Sequence, residues 1–183
     1  MAVDMEALML LAKDLLLAIG EDPERDGLKD TPERFAKWWK EFIDYDPGKT
    51  ETSFNVQNTD QIVTISGIKV WSLCEHHLLP FSCNIAIGYI PANNKVLGLS
   101  KFGRIAHQMA HKPQVQERLA NEIADEITRI TDSTNVAVIA DGEHLCMTMR
   151  GIKSPSTMST SVMRGVFRDE IETRNELLFL VRR

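Results

Sequence analysis

Apolar residues along the chain follow two periods, one helical and one of strands. Leu8, Leu11, Leu15 and Ile19 recur at helical spacing over residues 4–19, and Gly20 is placed to end that helix. Thr31-Pro32-Glu33-Arg34 predicts a second helix start, with Thr31 as N-cap and Pro32 at the first helical position, leading into Phe35, Trp38, Trp39 and Phe42. That aromatic stripe reads as core or subunit interface. From Tyr45 to Asp60 the chain turns polar around Pro47 and Gly48, as a linker would. A β-rich body follows, with strands over 61–66, 69–73 and 85–90, the last closed by Pro91 and a turn at Asn93-Asn94. Ser100 is placed to cap a helix whose apolar positions are Phe102, Ile105, Ala106 and Met109. A further helix follows Pro113, with Val115, Leu119, Ile123, Ile127 and Ile130 inward. Asn135 to Ala140 is apolar on both alternating faces, as a buried strand is, and Asp141-Gly142 is a type I′ hairpin signal. On the returning strand, alternation would put His144, Cys146, Thr148 and Arg150 on one face and Leu145, Met147 and Met149 on the other. A C-terminal helix is expected from Asn175.

The pattern thus divides the chain into an N-terminal helical region (1–45), a linker (46–60) and a β-rich domain (61–183). With 183 residues, 43% apolar and 26% charged, the chain can bury one substantial core. Its charge of −5 argues against broad nucleic-acid binding and gives no reason to expect a membrane surface. Any anionic ligand must therefore meet a local cluster of cations. No basic region precedes the apolar N-terminus, so a signal peptide is not expected, and no run approaches the roughly 20 apolar residues of a membrane span. Three cysteines do not make a disulfide framework and suit a reducing cytoplasm.

The chemistry concentrates in two short segments, Cys74-Glu75-His76-His77 and His144-Leu145-Cys146. Cys74 and His77 form a C-x-x-H pair able to grip one ion, with Cys146 as a third ligand, and thiolate plus imidazole points to zinc. Three ligands leave a fourth position open and leave His76 and His144 free to move protons. Cys83 lies near enough to offer a closed Cys3His structural site instead, and spacing alone leaves both arrangements open. Simple buried thiols are the third possibility, against which stands the presence of three of the five histidines in these segments. His107 and His111 form an H-x-x-x-H pair without an apparent third ligand and read as a solvated helix face. A zinc deaminase would show C-x-x-C, which is absent.

Taken in order, Ser72 to His77, Gly98-Leu99-Ser100-Lys101, Arg104, Pro113 to Leu119, His144-Leu145-Cys146 and Met149-Arg150-Gly151 resemble GTP cyclohydrolase I, from about Thr31 to the C-terminus. Thr157 to Thr160 and Gly165-Val166-Phe167 fit too. The resemblance implies an α+β tunnelling fold: an antiparallel four-stranded sheet with two helices packed on one side, N-terminal helices, and subunits joined into β-barrels. It implies a homodecamer with active sites at subunit interfaces, and conversion of GTP and water to 7,8-dihydroneopterin triphosphate and formate, the first step of pterin biosynthesis. By the same resemblance Cys74, His77 and Cys146 bind one Zn2+ per subunit, His76 and His144 act as acid and base, and Ser100 lies near the ribose. Gln116 and Glu117 match base-reading positions, a carboxylate being able to accept from the N1–H and 2-amino group together. Lys101, Arg104 and Arg150 match a triphosphate clamp, and Arg34 a basic residue reaching across from a neighbouring subunit. Cys83 departs from the family, which commonly has Gly there. Two rivals remain, a zinc-stabilised interaction domain that would use all three cysteines, and a tunnelling-fold enzyme acting on another pterin or a deazapurine.

Overall fold

The computed structural model describes residues 2–57 and 59–182; Met1, Arg183 and Asn58, the last within the expected linker, lie outside the described residues. The chain forms two compact units, Met1–Asp46 and Pro47–Arg183. No helix among the described residues is long and apolar enough to cross a membrane.

The first unit holds α1 (Met5–Ala18) and α2 (Thr31–Ile43). Asp4 caps α1 by accepting from the Ala7 N–H at 3.0 Å, and Gly20, at φ +86°, donates back to Leu17 O to close its end. The buried face of α1 is Ala12 and Leu16, whereas Leu11, Leu15 and Ile19 of the expected stripe are exposed. Leucines at 8, 10, 11, 15, 16 and 17 surround the helix, so spacing could not select the face that α2 covers. α2 starts one residue early: Asp30 is the N-cap, Thr31 the first helical residue and Pro32 the second.

The second unit is built on a five-stranded sheet. Its elements are β1 (Ser53–Asn55), β2 (Val63–Cys74), β3 (Pro80–Tyr89), β4 (Lys95–Leu97), α3 (Leu99–Ala110), β5 (Pro113–Gln114), α4 (Gln116–Thr131), β6 (Val136–His144), α5 (Leu145–Thr148), β7 (Thr157–Met163), α6 (Val166–Asp169) and α7 (Ile171–Val181). Sheet order is β5-β2-β3-β6-β7. The four long strands pair antiparallel, and two-residue β5 adds a parallel edge beside the end of β2. This mixed α+β architecture fits a tunnelling-type fold.

Four local expectations change. The stretch taken as a linker contains β1, whose residues pair with β4, because Phe54 and Val56 carry strand propensity inside an otherwise polar run. The two strands expected over 61–73 are one strand with a bulge between Ile65 and Ile68, where Gly67 takes φ +75°. Gly98, not Ser100, is the N-cap of α3. The last helix, α7, begins at Ile171 rather than Asn175.

The largest correction concerns Asp141-Gly142. No hairpin forms there; both residues lie inside β6, Asp141 opposite Asn84 on one side and Ser159 on the other, Gly142 opposite Cys83 and Met158. The glycine serves close approach instead of a turn. A Cβ at Gly142 would lie 2.1 Å from Gln116 Oε1 and 2.9 Å from Cys83 Sγ. The I′ geometry appears at Asn93-Asn94, with φ of 54° and 56°.

Helices α3 and α4 pack on one sheet face, burying Ile85, Ile87, Ile105, Ile123 and Ile127 completely. A smaller cluster of Ala137, Phe167 and Leu177 forms where α6 and α7 return to the sheet. Leu177 reaches the space left by Gly88, whose Cβ would lie 2.3 Å from the leucine Cδ1. Leu177→Ala should therefore cost about 2–5 kcal/mol, seen as a lower urea midpoint at unchanged slope.

Candidate functional site

The end of β2 delivers Cys74 to a tight turn. Its carbonyl accepts from the N–H groups of His77 (3.2 Å) and Leu78 (2.8 Å), its own N–H donates to Leu79 O (2.9 Å), and Leu78 adopts φ +54° to close the loop. The Glu75 N–H donates to Gln114 O at 3.1 Å, anchoring the turn to β5. Arg118 strengthens the anchor by donating from Nε to Gln114 Oε1 (2.6 Å) and pairing through Nη2 with Glu75. Fully buried Gln114 also donates to Glu122 (2.8 Å) and Met109 O (3.1 Å).

The second segment arrives from β6. The chain leaves the strand at His144 and coils into the single turn of α5, so His144, Cys146 and Arg150 do not share a strand face. They converge all the same. Ligand atoms of Cys74, His77 and Cys146 lie within 4.8 Å of one another, the one such group of three among the described residues. Two thiols and an imidazole suit a borderline-soft divalent metal with one position left over, so the donor set fits a metal cofactor. Burial and the neighbouring Cys74 thiol push the Cys146 thiol above its ordinary value, against which a bound cation would act.

Cys83 stands apart from this group. Its side chain is 1% exposed within the main core, and burial, assisted by the Asp141 carboxylate, pushes its thiol up to about 12. The closed four-ligand arrangement that spacing left open is thus not assembled. His107 and His111 stand 5.8 Å apart, ring to ring, and join no third ligand among the described residues.

Around the ligands sit the proton-bearing candidates. His76 is exposed, its Nδ1 3.8 Å from Cys74 Sγ. His144 stacks on Phe81, centroids 4.6 Å apart and planes 7° from parallel, and its Nε2 lies 2.8 Å from Gln116 Oε1. Burial holds its imidazole below the ordinary value, and the nearby Glu117 carboxylate opposes that shift. Arg150 donates from Nη1 to His77 Nε2 at 2.7 Å.

The remaining sequence candidates divide. Glu117 is exposed in the first turn of α4, while adjacent Gln116 is 1% exposed and bonded entirely inside the protein. Its placement was open to a sequence reading: Gln116 precedes Leu119, Ile123 and Ile127 at helical spacing, on the inward stripe of α4. Exposed Ser100 lies in the first turn of α3, with Lys101 donating to Lys49 O (2.7 Å) and Arg104 to Pro47 O. Arg34 belongs to the first unit, exposed on α2 and 3.3 Å from Asp30. The anchor made by Arg118, Gln114 and Glu75 was not anticipated, because its partners are separated by up to 43 positions.

Comparison with known proteins decides the family. The GTP cyclohydrolase I family model matches residues 10–182. The chain belongs to that family. It is 45% identical over 183 residues to GTP cyclohydrolase 1 of Aquifex aeolicus, covering 100% of this chain and 99% of the relative. Identity is 41% over 183 residues to GTP cyclohydrolase 1 of Carboxydothermus hydrogenoformans, covering 98% and 95%. It is 45% over 179 residues to GTP cyclohydrolase 1 1 of Pseudomonas syringae pv. tomato, covering 93% and 94%. As a GTP cyclohydrolase I family member the chain is an enzyme, which the gathered site accords with.

Cys83 offers a check on this partition. Its pKa rises from 9.0 in the unfolded chain to about 12 on folding, so the buried neutral thiol contributes fully below pH 9. As pH climbs from there toward 12, the unfolded state sheds the proton first, and stability should fall by about 1.4 kcal/mol per unit. Urea titrations at about pH 8 and about pH 10.5 should show that loss in the natural chain and a smaller one in Cys83→Ala.

Proposed function

We propose that this chain hydrolyses and rearranges GTP to 7,8-dihydroneopterin triphosphate and formate, opening pterin biosynthesis. The observation that carries the reading is the convergence of Cys74, His77 and Cys146 from two segments, with His144 and Arg150 beside them. The relatives named GTP cyclohydrolase 1 over nearly their whole length support it.

Cys74, His77 and Cys146 would hold one zinc ion, whose chemistry when bound is Lewis acidity and a lowered pKa for water. His144 and His76 manage the protons that ring opening at C8 and formate release require. Glu117 accepts from the N1–H and 2-amino group of guanine, and Ser100 lies toward the ribose. Gln116 does not share the base-reading task, because its amide is already bonded to Ala140 O, Met158 O and His144.

Lys101, Arg104 and Arg150 provide the local positive potential that a net charge of −5 lacks, and Arg34 adds to it from a neighbouring subunit of a homodecamer. Cytoplasmic residence accords with the free thiols. The zinc-stabilised interaction domain loses its basis, since it needs Cys83 among the ligands.

Incubation with GTP should yield formate and a pterin that fluoresces after oxidation, with one zinc counted per chain; no formate would sink the reading. His144→Ala should keep the metal and lose about 10²–10⁴-fold in kcat, whereas Cys146→Ser should lose both. Arg104→Ala should weaken GTP about 10- to 100-fold while leaving guanosine binding unchanged; equal losses would remove Arg104 from the clamp.

A further inference from the structure

Gln116 is the first residue of α4, and its side chain crosses to the sheet. Its amide nitrogen lies 2.9 Å from Ala140 O, 2.8 Å from Met158 O and 3.2 Å from Thr160 Oγ1, joining β6 to β7. Both carbonyls can only accept, so the NH2 group must face them and Oε1 must face His144 Nε2, 2.8 Å away. An oxygen there can only accept in turn. His144 Nε2 therefore carries hydrogen whether the ring is neutral or charged, and the lone pair of the neutral ring is on Nδ1.

The stack on Phe81 fixes the plane of this ring but not its direction within the plane. A half-turn about the Cβ–Cγ bond keeps the stack and exchanges Nδ1 with carbon. Among the described residues, the bond to Gln116 Oε1 is what distinguishes the two orientations. The missing Cβ of Gly142 makes room for that oxygen, since an added Cβ would lie 2.1 Å from it.

We infer that Gln116 is a positioning residue for the proposed reaction, holding the His144 ring in one orientation with Nε2 turned to the Gln116 oxygen. The inference rests on the GTP reading and assigns a division of labour within it. A residue acting wholly through another must lose its effect when that other is removed.

The experiment is a double-mutant cycle on the zinc-loaded enzyme, with kcat and KM for GTP measured for the natural chain, Gln116→Met, His144→Ala and the pair. Gln116→Met should lower kcat about 10- to 100-fold with KM changed less than about threefold, and should cost less than about twofold further in the His144→Ala background. Gly142→Ala, which displaces Oε1 without removing a polar group, supplies a second cycle with the same expectation should Gln116→Met fail to fold. Metal content and thermal melting, measured throughout, report folding. Losses that multiply in the His144→Ala background would overturn the inference, as would a raised KM at unchanged kcat, the mark of base reading. A natural chain that forms no formate from GTP would instead remove the functional reading, and this inference with it.

Discussion

The register of β3 between β2 and β6 is the constraint on which the site depends. One strand residue, Phe81, stands opposite Ser72 on one side and His144 on the other, so the strand that follows the metal-binding turn also sets where the second segment ends. Side chains alternate across a sheet, and a slip by one residue would carry Cys83 and Phe81 to the opposite face. The slip is opposed by Ile85 and Ile87, fully buried under α3 and α4, which would have to leave that core for the other face of the sheet. Core packing and ligand placement are thus one restraint applied at two ends of the same strands.

Polar order around the site is fixed more by the backbone than by side-chain pairs. Ser72 Oγ donates to Ala110 O at 2.6 Å, buried Gln114 ties α3 to α4, and the amide of Gln116 spans two strands. Each closes a buried hydrogen-bonding capacity that would be costly to leave open. The cations behave differently. Lys101 and Arg104 rest on carbonyls of the segment beginning at Pro47, at exposed positions where partners exchange with water at little cost.

Much of this was legible from residue order. The candidate ligands stood out because thiols and imidazoles are scarce, but spacing left Cys83 among them, and only the fold separates it from Cys74, His77 and Cys146. Helices α3 and α4 announced themselves by period, and Asn93-Asn94 by turn chemistry. Asp141-Gly142 misled for a physical reason: the dipeptide signals a hairpin only where the glycine turns the chain, and here the glycine admits neighbours from α4 and β3. The face of α1 was ambiguous because its leucines encircle it. Gln116 was read by its place in a motif, although its spacing to Leu119 and Ile123 already put it on the buried stripe. The bulge, the anchor and the contact between Gln116 and His144 depend on residues that meet only after folding.

Cys83, Gln116 and Gly142 share a single small volume. A thiol from β3 and an amide oxygen from α4 both crowd the space over the glycine, at 2.9 Å and 2.1 Å from the Cβ it lacks. The three positions consequently cannot vary independently. A smaller residue at 83 frees room on one side of Gly142 only, and a larger one at 142 is tolerable only if the amide retreats from His144. Exploration of sequence around this site is therefore epistatic: the size of the effect of a change at any one position depends on the other two, although they lie 26 to 59 places apart along the chain.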